Sequence, residues 1–67
     1  MKYKIKALRV GRGIKAKDFA EEVGISREYL RLIENGKAKN PSIGIMRKVS
    51  KELNTSILEL FFSEEEE

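Results

Sequence analysis

The chain has 67 residues with no cysteine and no histidine, which excludes disulfides, thiolate zinc sites and histidine metal sites. No apolar run approaches the roughly 18–20 residues of a membrane span, and the start, MKYKIKALR, has no continuous apolar stretch behind its basic residues, so neither a spanning helix nor a signal peptide is expected. Glu64 to Glu67 hold four of the eleven acids, so the net +3 becomes fourteen cations against seven anions, +7, over residues 1–63; that surplus suits either a polyanion such as nucleic acid or plain solubility.

One domain is the most that this length allows, near the lower limit for a self-sufficient core. Five helices and no strand are expected, because proline occurs once and alternating apolar–polar runs are missing. Helix 1 is read over about 3–11, with Ile5 and Leu8 on one face and Lys2, Lys4, Lys6 and Arg9 largely elsewhere. Gly11-Arg12-Gly13 ends it. Helix 2 is read over about 16–23, with Phe19, Ala20 and Val23 inward and Gly24 as its stop. Ser26 then caps helix 3, about 27–35, whose buried pair is Leu30 and Ile33; Asn35-Gly36 ends it.

Residues 37–41 read as a loop, in which Pro41 biases Asn40 out of the helical region. Ser42 caps helix 4, about 43–53, with Ile45, Met46, Val49 and Leu53 at helical spacing. Ser56-x-x-Glu59 is a capping box opening a short helix 5, where Ile57, Leu60 and Phe61 pack. The expected organisation is one domain over 1–62 and an acidic, solvated tail over 63–67, with no repeat and no linker.

The spacing within "FAEEVGISREYLRLIENGK" carries a more specific reading. Counted from Ala16, Ala20 is the fifth residue, Gly24 the ninth, Leu30 the fifteenth and Ile33 the eighteenth. Each position has a job where two short helices cross. Ala20 is small so that helix 3 can pass close above it, Gly24 takes a left-handed backbone, and Ile25 plugs the core beneath the turn. Leu30 and Ile33 anchor helix 3 and turn Ser26, Arg27, Glu28 and Arg31 outward, where they can meet base edges or phosphates in a major groove. The bland alternative is a small helical bundle with a solvated polar face.

Through "IKALR", "FAEEVGISREYLRLIENGK", "NPSIGIMRKVSKELN" and "SILELFF", the chain resembles the lambda-repressor/Cro-type (Xre) helix-turn-helix domains of bacterial and phage regulators, over about residues 5–62. The segment "IENGKAKNPS" is the most specific part of the likeness. The resemblance implies an all-α, compact five-helix bundle of the lambda-repressor-like type, with its helix-turn-helix at about 16–35, binding double-stranded DNA as a homodimer on a palindromic operator. It implies an ion pair between Arg9 and Glu34. It also implies phosphate contacts by Asn35, Lys37 and Lys39, and base reading by Ser26, Arg27, Glu28, Tyr29 and Arg31. Two departures stand out. Ala16 replaces the glutamine that family members often carry at the start of helix 2, and Lys15 stands where Ser or Asn usually caps it; backbone N–H groups at Ala16, with Lys15 and Lys17, can serve a phosphate instead. Leu32 sits at a position that is polar in several members, where it can touch a thymine methyl or a protein.

Several residues keep two readings. Arg27 either reads guanine in bidentate fashion or holds a phosphate. Glu28 either accepts from cytosine N4 or pairs with Arg31. Tyr29 either reaches the DNA through its hydroxyl or packs across the turn. Lys37 and Lys39 meet phosphate or solvent, while Arg47 and Lys48 belong to a solvated face. Phe61 is expected inward, and Phe62 with Leu58 forms a dimer contact or a partly exposed chain end.

The expected function is therefore a sequence-specific transcriptional regulator, acting in the cytoplasm at the nucleoid with no cofactor, metal or membrane. The alternative is an antitoxin-like or anti-repressor module that meets a protein partner through Leu32, Leu58 and Phe62. An enzyme is not expected, because carboxylates or lysines would have to work in a bundle too small for a deep cleft. RNA binding is not expected either, because no aromatic pair is placed as a stacking platform.

Overall fold

A computed structural model describes residues 4–62. The proposed start of helix 1 at residue 3 and the acidic tail lie outside the described residues. Within them the chain forms α1 (Lys4–Gly11), α2 (Ala16–Val23), α3 (Arg27–Glu34), α4 (Ile43–Leu53) and α5 (Ile57–Phe61), with no strand. α2 packs against both α3 and α4, α5 folds back on α4, and α1 touches α3 and α4.

The helix starts follow from three serines. Ser26 Oγ accepts from the Tyr29 N–H at 3.0 Å, Ser42 Oγ from Ile45 at 3.2 Å, and Ser56 Oγ from Glu59 at 3.1 Å. Each bond satisfies an N–H that the helix cannot, and is worth about 1 kcal/mol. The Glu59 carboxylate pairs with Lys4 Nζ at 2.9 Å, joining α5 to α1. α2 is the exception: Lys15 has the same extended backbone as the three serines, but its ammonium can only donate, and it makes no side-chain cap.

The helix ends share one geometry. A residue with positive φ follows each of four helices: Gly13 (70°), Gly24 (85°), Gly36 (71°) and Asn54 (51°). The next residue then reaches back five positions with its N–H. Ile14 bonds to the Arg9 carbonyl at 3.1 Å, Ile25 to Ala20 at 3.0 Å, Lys37 to Leu32 at 2.8 Å and Thr55 to Ser50 at 3.1 Å. These are Schellman closures, which pair the last carbonyls and reverse the chain in very few residues. α3 ends at Glu34, one residue before the expected end, because Asn35 has turned to φ −92°, ψ 6° as its cap. Asn40, ahead of Pro41, leaves the right-handed helical region for φ 49°.

The core lies where α2, α3 and α4 meet. Phe19, Val49 and Leu53 are wholly buried, and Leu30, Val23 and Ala20 nearly so; Ile5, Ile33 and Leu60 close the cluster. Ile25 is half-buried against this cluster, directly beneath the α2–α3 turn. Emptying the Phe19 site would cost about 3–5 kcal/mol, comparable with all the stability that a domain this small usually has. One expectation for α1 fails. Arg9 does not lie off the buried face: it sits one turn beyond Ile5 and is buried with it, while Leu8 is only half-buried.

Candidate nucleic-acid interface

α3 is anchored on one side and free on the other. Leu30, Ile33 and Glu34 are buried, whereas Arg27, Glu28, Arg31 and Leu32 are exposed. The buried acid is held by the buried base: Arg9 Nε donates to Glu34 Oε2 at 2.6 Å and Nη2 donates to Oε1 at 3.2 Å. Arg9 Nη1 donates in addition to the Ile14 carbonyl at 2.8 Å. One guanidinium therefore ties together α1, the α1–α2 turn and the end of α3. A planar, two-bond pair of this kind fixes orientation as well as distance. Arg12 adds a second strap, donating Nη1 to the Leu53 carbonyl at the end of α4.

Above the pair lies a surface depression of about 490 Å³, lined by Lys6, Arg9, Ala16, Arg27, Glu28, Leu30, Arg31, Glu34 and Asn35. It brings together Arg27, Glu28, Arg31, Asn35 and Ala16, five of the residues expected from sequence to touch DNA. Their neighbour Lys6 was not expected there. No local signal marks it, since on its own helix Lys6 reads as one more surface cation. Four cationic side chains and two carboxylates line the depression, so its balance is positive.

The remaining candidates lie outside this depression. Ser26 is exposed, with its Oγ engaged as the cap of α3. Tyr29 is half-buried and packs against the core cluster, so the turn takes much of its ring. Lys15, Lys17, Lys37 and Lys39 are all exposed; the last two lie on the loop that the Leu32 carbonyl fastens through its bonds from Lys37 and Ala38. Ala16, which lines the depression, is half-buried against the core cluster. Phe61 packs against the core, while Leu58 on α5 and Phe62, the residue that caps its end, are exposed. Among the described residues no helix is long and apolar enough to cross a membrane, and no group of three or more acidic side chains could hold a metal ion.

Two short helices joined by a glycine closure, the second presenting a polar face from a buried anchor, define a known architecture. The helix-turn-helix family model HTH_3 matches residues 5–60. The chain belongs to the helix-turn-helix family. It is 38% identical over 60 residues to the HTH-type transcriptional regulator SlrR of Bacillus subtilis, covering 90% of this chain and 40% of SlrR. It is 33% identical over 67 residues to an HTH-type transcriptional regulator of Archaeoglobus fulgidus, covering all of this chain and 94% of that one. A solved SinR protein/SinI protein complex contains a chain with the same fold, at a TM-score of 0.77 and 35% identity, covering 90% of this chain and 58% of that one. The chain thus spans less than half of SlrR but nearly all of the archaeal relative. For this helix-turn-helix protein α2 and α3 are the paired helices, and the Arg9–Glu34 bond braces the second of them from behind.

Proposed function

We propose that the chain is a sequence-specific, DNA-binding transcriptional regulator that places α3 in the major groove of duplex DNA. The observation that carries this reading is the exposed Arg27, Glu28 and Arg31 face on a helix whose opposite side is fixed by core packing and by a buried ion pair. Arg27 is assigned to guanine O6 and N7, which a guanidinium meets with two bonds, and Glu28 to cytosine N4. Ser26, Tyr29 and Arg31 flank them at the groove wall. Asn35, Lys37 and Lys39 on one side, with Lys15, Lys17 and the first N–H groups of α2 at Ala16 on the other, grip the two phosphate strands. Such contacts set register and supply the salt-dependent part of the affinity.

Two copies bind a palindromic site in this reading, meeting through Leu58 and Phe62, the exposed apolar pair on α5 and at its end. The names borne by SlrR and the archaeal relative support the regulatory part of the proposal. A protein partner is a second reading, supported by the SinR chain standing in a complex with SinI. In that case Leu58 and Phe62 would meet the partner.

The test is selection from a random duplex library, followed by titration of the selected and a scrambled duplex across a salt series. A specific reader prefers its site by about a thousandfold or more, and a two-fold site indicates a dimer. Equal, weak binding that fades together with salt would overturn the proposal and leave only a basic surface.

A further inference from the structure

We infer that Leu32 is an apolar base reader that recognises a thymine by its C5-methyl group. The assignment rests on the DNA-binding reading above and deepens it. At about 100° per residue, the buried Leu30, Ile33 and Glu34 define the inward side of α3. The direction opposite their centre falls between Glu28 and Leu32, with Asn35 beside Glu28, while Arg31 and Tyr29 point to the two flanks. A helix that enters a groove with this side leading therefore carries Glu28 and Leu32 deepest.

Leu32 is 41% exposed. Its sequence neighbours three and four residues away are Glu28, Tyr29, Asn35 and Gly36, so no aliphatic side chain stands beside it at helical spacing. Its backbone is fixed as well. The Leu32 carbonyl accepts both the Lys37 N–H at 2.8 Å and the Ala38 N–H at 3.1 Å, so the loop carrying Lys37 and Lys39 hangs from this residue. Phosphate contacts by that loop would set how deep the leucine sits.

The major groove offers one apolar feature, the thymine methyl; every other base edge there is a donor or an acceptor. A leucine against a thymine releases water from two apolar surfaces. Against adenine, guanine or cytosine it strips water from a polar group and returns no bond. Glu28 lies four residues earlier, about 6 Å along the axis, close to two base-pair steps of about 3.4 Å. The thymine is therefore expected about two base pairs from the pair that Glu28 reads.

The test replaces each thymine of the selected duplex, one at a time, by deoxyuridine, which deletes only the methyl. Wild type and Leu32→Ala are titrated against the set, with thermal melts to confirm that the exposed substitution leaves the fold intact. One thymine per half-site is expected to show a loss of about three- to fivefold for the wild type, the effect of one buried methyl, and none for Leu32→Ala. Leu32→Gln, reselected on the random library, is expected to exchange that thymine for adenine, whose N6 and N7 suit an amide. Equal deoxyuridine profiles for wild type and Leu32→Ala would overturn the inference while leaving the regulator reading standing. A chain that selects no duplex would overturn both.

Discussion

Arg9 and Glu34 join through two hydrogen bonds across 25 residues of sequence, and both are buried. Their worth depends on what replaces them. Removing one partner strands a buried charge, at a cost of about 3–5 kcal/mol, while replacing both with apolar groups can be neutral. Glu34→Ala and Arg9→Ala are therefore expected to leave the domain largely unfolded at room temperature, whereas Arg9→Met with Glu34→Leu should restore a cooperative urea transition. Single variants that lose less than about 1 kcal/mol would show that water reaches the pair and screens it.

Alanine should act with opposite sign at two glycines. At Gly24 a Cβ would meet only Lys48 Nζ, at 3.8 Å, so space is available, but φ is +85°. The left-handed penalty of about 1–2 kcal/mol is then expected as lost stability. Gly44 lies inside α4 with ordinary φ, and its Cβ would make only a normal contact with Ser42 Oγ. Gly44→Ala should stabilise by about 0.5–1 kcal/mol. Thermal melts of both variants, read side by side, decide the matter. Equal shifts in one direction would contradict the backbone account.

Phosphate grip and base reading should separate in binding data. Lys37→Ala and Lys39→Ala are each expected to weaken every duplex alike and to reduce the salt slope by about 0.9. Arg27→Ala should instead relax preference at one position of the selected site, by about 1–3 kcal/mol, in competition titrations. A uniform loss for Arg27→Ala would reassign that side chain to a phosphate.

Association can be tested on α5. Leu58 is 69% exposed and Phe62 55%, so charge there should not disturb the fold. Sedimentation of Leu58→Glu is expected to give a monomer where the wild type gives a dimer, with weakened binding to a two-fold site and retained binding to a half-site. A wild type that sediments as a monomer at concentrations saturating its site would move the contact elsewhere.

The helix limits were legible because local chemistry marks them. Ser26, Ser42 and Ser56 cap from adjacent positions, and Gly24 or Asn54 closes within one turn. The end of helix 2 at Gly24 and the start of helix 4 after Ser42 were placed from such signals, and apolar periodicity supplied the rest of 43–53. Arg9 shows what local patterning misses. From its own helix it reads as one more surface cation, since the carboxylate that buries it comes from α3. The likeness to a family, and not periodicity, pointed to Glu34. Lys6 enters the depression for the same reason, because only the approach of α1 to α3 puts it there. Tyr29 fits either role from sequence; packing against the core decides how much of its ring is covered.

The closures at Gly13, Gly24, Gly36 and Asn54 have a thermodynamic corollary. Each one pins the backbone on both sides of a turn, so α3 and the loop fastened to Leu32 are in place before any duplex arrives. Docking then orders side chains and water but not main chain. Its heat-capacity change should follow the modest apolar area covered at the groove, well short of the larger value that marks a segment folding as it binds.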